Sequence, residues 1–414
     1  MRKRLPIAAA MALILLAAPA AASPTNAPPL DTDLLETKLD ALAPLGDHSV
    51  IAEVRSGGEE WEEDLGYRSI DGTGGRVDTD DRVRIASLTK SMVAAILLQL
   101  QTEGTVDLDD SLSDHLPGLL PYEKEPTVRQ LMQHTGGLFD YFYYLYESLI
   151  VDGDTADFRE HYRKHYSPEE LIAIGTQDPL LFEPGTDWSY SNTGYMALGL
   201  LIEELTGESL GHQLEKRIFE PAGLDDTYFP RPYSHGIRGP HPRAYLTTGR
   251  AEAPYFDSTR LSNSQMWAAG GVVSTAEDVN DFYDAYLDGT LLSEEQLAEA
   301  MQFVDTGAGM GYGLGLLHLD LACPDDPERT YVGHTGGALG HQTYSFHSVD
   351  GERQITFTWN VDDRHAYIDP AELDHALSAL LVAGLCGVDM DAPGTLNARD
   401  LPDLAALDDL TVLG

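Results

Sequence analysis

Cysteine, positive charge and long apolar runs are all scarce in this chain of 414 residues, and each scarcity excludes something. There are two cysteines, Cys323 and Cys386. With no histidine cluster beside them, they do not make a four-ligand zinc site. His161 and His165 stand at helical spacing, but among Arg159, Glu160, Arg163 and Lys164, which reads as a solvated face. No metal and no organic cofactor is expected. Lys and Arg number 26 against 68 Asp and Glu, a formal charge of −42. Phosphate binding needs clustered cations, so nucleic acid and anionic membrane surfaces are excluded as partners. Beyond the first 22 residues no segment is long and apolar enough to span a bilayer, so no stable membrane anchor is expected there.

The first 22 residues carry an export signal. Arg2-Lys3-Arg4 forms a basic start, Ile7 to Ala18 an apolar stretch, and Pro19-Ala20-Ala21-Ala22 a small-residue cleavage site before Ser23. The mature chain is therefore expected to be secreted. In that setting an even pair of cysteines points to a Cys323–Cys386 disulfide, two buried free thiols being the alternative.

What remains has the composition of a globular protein, 43% hydrophobic and 23% charged. Leucines 34, 35, 39 and 42 mark an amphipathic helix over 32–43. Ser49 to Val54 and Trp61 to Tyr67 read as strands around a Ser56-Gly57-Gly58 turn. From Ser87 a helix runs to about Glu103, closed by Gly104, and Met92 to Leu98 is apolar almost all round. Helical patterns then dominate to about residue 230 and resume at Thr275 to Leu287 and Ser293 to Met301. Strands return at Gly313 to Leu319, Thr330 to Thr335, Thr343 to Ser348 and Gln354 to Trp359, followed by a helix over Pro370 to Leu385. The expected fold is α/β: an antiparallel sheet flanked by terminal helices, with an inserted all-helical lobe. The sheet domain would comprise 23–86 and 262–387, the lobe 87–261, and an acidic, loosely held tail 388–414.

Three short motifs carry chemistry. In Ser87-Leu88-Thr89-Lys90 the serine and lysine are three residues apart at the first turn of a helix, hence on one face. The lysine can take the hydroxyl proton, and the helix N-terminus favours the developing alkoxide. A serine cap with a snorkelling lysine is the plainer alternative. The apolar helix that follows weighs against it, because a solvated ammonium is hard to place there. Tyr190-Ser191-Asn192 offers a phenol whose ionised form a nearby lysine could favour, and an amide with both a donor and an acceptor. His334-Thr335-Gly336-Gly337 ends a strand, where glycines admit close backbone approach and an N–H can serve an oxyanion hole. Either of these alone reads more readily as a polar turn; the three together, in this order, point to a serine nucleophile.

Ser87-x-x-Lys90, Tyr190-Ser191-Asn192 and His334-Thr335-Gly336 resemble the three signatures of the penicillin-recognising serine hydrolases, which include class C β-lactamases, DD-peptidases and esterases. Histidine at the head of the third motif resembles secreted actinomycete D-alanyl-D-alanine carboxypeptidases. The similarity covers about residues 45 to 387, including Thr127 to Met132, Gly311 to Leu316 and both cysteines. It implies Ser87 as nucleophile, Lys90 as its activator, Tyr190 as proton carrier and His334 near the leaving side. It also implies Asn192, Thr335, Gly336 and Gly337 as substrate-binding, with the N–H groups of Ser87 and Gly337 as the oxyanion hole. Trp267 would form one cleft wall, and the aromatic run Tyr141 to Tyr146 the other.

Two positions depart from the carboxypeptidase pattern. Leu317 replaces an arginine that helps bind the substrate's terminal carboxylate, and Gly337 replaces a threonine. Both losses fall on carboxylate recognition, since charge-assisted bidentate contacts are among the stronger devices available. The expected activity is therefore acyl-serine hydrolysis of small peptides, of D-alanyl-D-alanine carboxypeptidase type. The alternatives are an esterase, a D-aminopeptidase or a class C-like β-lactamase, and less so a non-catalytic β-lactam- or peptidoglycan-binding protein.

Overall fold

A computed structural model describes residues 29–46, 48–248, 254–306, 310–362 and 370–393. The export signal and residues 394–414 of the acidic tail lie outside the described residues. Strands β1 (Val50–Ser56) and β2 (Glu59–Leu65) form a hairpin closed by Gly57 and Gly58, both at positive φ. Further along come β3 (Val304–Asp305), β4 (Gly311–Tyr312), β5 (Leu317–Leu319), β6 (Tyr331–Gly337), β7 (Gln342–Ser348) and β8 (Arg353–Trp359). All eight make one antiparallel sheet in the order β2-β1-β8-β7-β6-β5-β4-β3. The two ends of the chain meet where β1 pairs β8, with Val54 opposite Ile355.

Five helices position the rest: α1 (Thr32–Asp40), α2 (Thr89–Thr102), α3 (Asn192–Thr206), α4 (Ala276–Leu287) and α5 (Pro370–Cys386). α1 and α5 pack on the sheet and on each other, and a core of Leu35, Leu39, Val54, Ile355, Leu377 and Leu381 fills the space between. A Cys323–Cys386 disulfide ties the end of α5 to the segment after β5. A second core surrounds α2, whose residues 89–98 are buried without exception, as its all-round apolar pattern requires. The start of the acidic tail is held rather than loose: Lys38 of α1 donates to Asp389 (2.5 Å) and Asp391 (2.8 Å).

The structure departs from expectation in three places that matter. The α-helix begins at Thr89, and Ser87 sits on a preceding 3-10 turn, Ala86–Leu88, with Ala86 at φ +48°. Gly313 to Leu319 is not one strand. Gly315, at φ +70°, interrupts it because the backbone presses on α2, where an added Cβ would lie 2.7 Å from Ala94 Cβ and 2.8 Å from Lys90 O. Lastly, the inserted lobe is not all helical. Tyr245–Thr247 pairs with Tyr255–Asp257 and, in parallel, with Val361–Asp362. These runs are short and aromatic, and their ladder needs a partner more than a hundred residues away, so no local periodicity announces them.

Candidate active site

Ser87 is placed where the two cores meet. Its 3-10 turn packs against β6, and this closeness depends on Gly336. A Cβ there would stand 2.2 Å from Ile85 O and 3.2 Å from Ala86 Cβ. β5 pairs only with Tyr331–Gly333, so the stretch from His334 to Gly337 has no strand of that hairpin along its outer edge.

Lys90 is fully buried and its Nζ has three neighbours: Ser87 Oγ at 3.0 Å, Asn192 Oδ1 at 2.8 Å and Ala269 O at 2.6 Å. It also lies over the Tyr190 ring, 4.8 Å from the centroid. Burial pushes its pKa well below that of an ordinary lysine, and Asp140 opposes this in part. A neutral amine has two protons and one lone pair. Asn192 Oδ1 and Ala269 O can only accept, so they take the two protons and the lone pair faces the Ser87 hydroxyl. In the neutral form these contacts aim the Lys90 lone pair at Ser87.

Tyr190 is 1% exposed and its hydroxyl has no well-formed hydrogen bond among the described residues. Burial holds its pKa well above the usual phenol value, and the nearby Ser87 hydroxyl pulls the other way. The expectation that Lys90 would favour the phenolate is thereby reversed, because desolvation disfavours the charged form of both groups. Both shifts run toward the neutral forms, amine and phenol.

His334 is also buried and neutral, its pKa pushed down to about 3 by burial and by Lys90. Its Nδ1 lies 2.5 Å from Thr335 O and must carry the ring proton, since a carbonyl only accepts. Nε2, 3.0 Å away, therefore accepts from the Tyr312 hydroxyl. The Thr335 hydroxyl is buried without a partner in the described residues.

Several contributors carried no sequence signal of their own. Asp140 Oδ2 accepts from both Asn192 N and Nδ2 at 2.8 Å. His134, at φ +61°, accepts from Ser189 N with its carbonyl and from Ser191 N with Nδ1. Its ring lies 4.1 Å from that of Tyr190, so it braces the tyrosine on three counts. Ala269 acts through a carbonyl, which no side-chain motif can reveal.

Two expected wall elements and one departure are placed differently. The Trp267 ring packs on Gly199 of α3, where an added Cβ would lie 2.6 Å from Cζ3, and the residue is 6% exposed. It belongs to the helical core rather than to a cleft wall. Tyr141 and Tyr146 are likewise buried, both donating to Gln265, while Tyr143 and Tyr144 between them are half-buried. Leu317 is 1% exposed among Leu319, Tyr331 and Tyr312. An arginine at 317 would enter an apolar core in this chain.

With this geometry in view, a family model described as "Beta-lactamase" matches residues 42–378. The chain belongs to the β-lactamase family. It has the β-lactamase-like fold of that superfamily of serine hydrolases. It is similar to a D-stereospecific amidohydrolase from Streptomyces sp., 31% identical over 86% of this chain and 99% of that one, with a TM-score of 0.74. Penicillin-binding protein 4* of Bacillus subtilis is 27% identical over 70% of this chain and 63% of its own. A D-aminopeptidase of Cereibacter sphaeroides is 26% identical over 86% of this chain and 64% of its own. The chain thus spans between half and two-thirds of the length of these curated relatives. Among the described residues, no helix of this β-lactamase-family chain is long and apolar enough to cross a membrane.

Proposed function

We propose that this protein is an acyl-serine amidohydrolase that cleaves amide bonds of small D-amino-acid derivatives. The observation that carries the chemistry is the three-way coordination of Lys90 Nζ, which leaves a lone pair only toward Ser87. Ser87 Oγ attacks the carbonyl carbon as its proton passes to Lys90. The oxyanion is received by the N–H groups of Ser87 and Gly337. Tyr190, held as a phenol, gives its proton to the leaving amine, and Lys90 restores that proton. Water then repeats the sequence on the ester. Asn192 and Thr335 contact the substrate, and His334 stands beside the leaving group.

The substrate class follows from charge. The position where the carboxypeptidase pattern has a carboxylate-binding arginine is Leu317, and Lys90 is the basic group beside Ser87. It is occupied by its own three contacts. A free terminal carboxylate therefore finds a cation at neither position, whereas an amide or an uncharged ester needs none. Similarity to the Streptomyces amidohydrolase and to a D-aminopeptidase supports the same class. The carboxypeptidase reading is the second one, favoured by histidine at the head of His334-Thr335-Gly336.

The test is turnover of D-phenylalanine amide and D-alanine amide against an acylated D-alanyl-D-alanine peptide, with intact-mass detection of the acyl adduct in parallel. Faster turnover of the amides, with an adduct on the wild type that is missing in Ser87→Ala, is expected. Preference for the free-carboxylate peptide would hand the case to the carboxypeptidase. Equal activity in Ser87→Ala would sink both.

A further inference from the structure

We propose that Asp140 is a positioning residue that, acting through the side-chain amide of Asn192, turns the free face of Lys90 toward Ser87. The inference rests on the acyl-serine reading above and adds to it the group that decides which way the base points.

Asp140 caps the short helix Tyr141–Leu145 and is 4% exposed. Its Oδ1 accepts from Phe142 N at 2.7 Å, and its Oδ2 from Asn192 N and Asn192 Nδ2, both at 2.8 Å. All three partners are N–H donors with nothing to accept a proton. The site is therefore built for a carboxylate, even though burial by itself pushes the pKa of Asp140 up.

The consequence lies one residue further on. An asparagine amide can turn over at little steric cost, exchanging oxygen for nitrogen. Here Nδ2 must face the Asp140 carboxylate, so Oδ1 must face Lys90 Nζ, 2.8 Å away. Were the amide reversed, its N–H would donate into the amine's lone pair. A Lys90 proton would then point at Ser87, and the base would be quenched by its own neighbour. Asp140 forbids that arrangement, because the Nδ2 donor facing its Oδ2 would be replaced by a repulsive oxygen–oxygen contact.

Asp140 also contributes charge. The groups facing Lys90 are the Tyr190 and Tyr195 rings, His134, His334 and the Ser87 hydroxyl. Both histidines are held neutral by burial, and the tyrosines are phenols whose pKa values burial raises. Asp140 is the anion whose field favours the ammonium form of Lys90. Removing the charge lowers the pH at which Lys90 becomes a base.

The experiment compares wild type with Asp140→Asn, and with Asp140→Ser, which keeps a helix-capping oxygen while removing the charge. Each is also made in an Asn192→Ala background. Acylation of Ser87 by a p-nitrophenyl ester is followed across pH, and the Lys90 pKa is read separately from its 13Cε resonance. Both variants are expected to acylate about 100-fold more slowly, a loss of the size attached to a misdirected proton acceptor. The acid limb and the 13Cε titration should both move to lower pH. In the Asn192→Ala background the further rate loss should shrink to about threefold or less. An unmoved Lys90 titration, or an equal rate loss in both backgrounds, overturns the proposal. A wild type that forms no Ser87 adduct overturns the acyl-serine reading instead, and the 13Cε titration still decides the charge effect.

Discussion

Replacing Gly336 by alanine tests whether the approach of β6 to the nucleophile turn is what makes the site. The added Cβ would sit 2.2 Å from Ile85 O, 2.9 Å from Leu88 Cδ1 and 3.2 Å from Ala86 Cβ. The leucine methyl can rotate away, but Ile85 O is backbone, two residues before Ser87. Ordinary contacts of carbon lie near 3.5 Å, so strand and turn must separate by about 1 Å. Overpacking of this kind costs about 1–3 kcal/mol of stability. The kinetic penalty is larger in kind, because a shift of about 1 Å in the reacting geometry costs on the order of 100-fold in rate. The assay is stopped-flow acylation by a p-nitrophenyl ester, with thermal unfolding measured alongside. Gly236→Ala serves as the control, since nothing lies within 4 Å of a Cβ at that position. Gly336→Ala is expected to remain folded and to acylate about 100-fold more slowly, while the control stays within about twofold. Acylation of the Gly336 variant within about threefold of wild type would refute the argument, because the strand would then not set the geometry.

Two further outcomes follow from burial. Tyr190→Phe should lose about 100- to 10,000-fold on amides, whose leaving amine needs a proton, and far less on a p-nitrophenyl ester, whose leaving group does not. Equal losses on both substrates, read from kcat/KM, would remove Tyr190 from the proton path. Glu53 of β1 has its pKa raised to about 7 by burial, against the opposing pull of Arg55. A carboxyl raised in the folded state stabilises fully below its unfolded value near 4.5, and that contribution is lost as pH rises through about 7. Glu53→Gln should therefore match wild type near pH 4.5 and exceed it at pH 8, by at most about 3 kcal/mol. Urea unfolding at the two pH values measures this; the same change with pH in both proteins would count against it.

Much of the site was legible because its first part is local. Ser87 and Lys90 lie three residues apart, and helical geometry brings them together whatever the rest of the chain does. The apolar stretch Met92 to Leu98 announced that this turn would be buried, and alternation and turn residues marked most of the long strands. Tyr190, Asn192 and His334 were legible as motifs through family resemblance, since nothing in their own spacing relates them to Ser87.

What the sequence determined by itself was thus the class of the fold and a short set of candidate reacting groups. Tertiary structure decided their state. The pKa of Lys90 is lowered and that of Tyr190 raised because segments from distant parts of the chain close over them, and desolvation is a sum over neighbours that no single stretch contains. The direction of the Lys90 lone pair depends on Asp140 and on the carbonyl of Ala269, groups 50 and 179 residues away that touch Lys90 or its partner only in the folded chain. The same logic moved Trp267 and Leu317 from the cleft into the core. A residue type states what chemistry is possible, and only the packing around it states which atoms face the substrate and which face the interior.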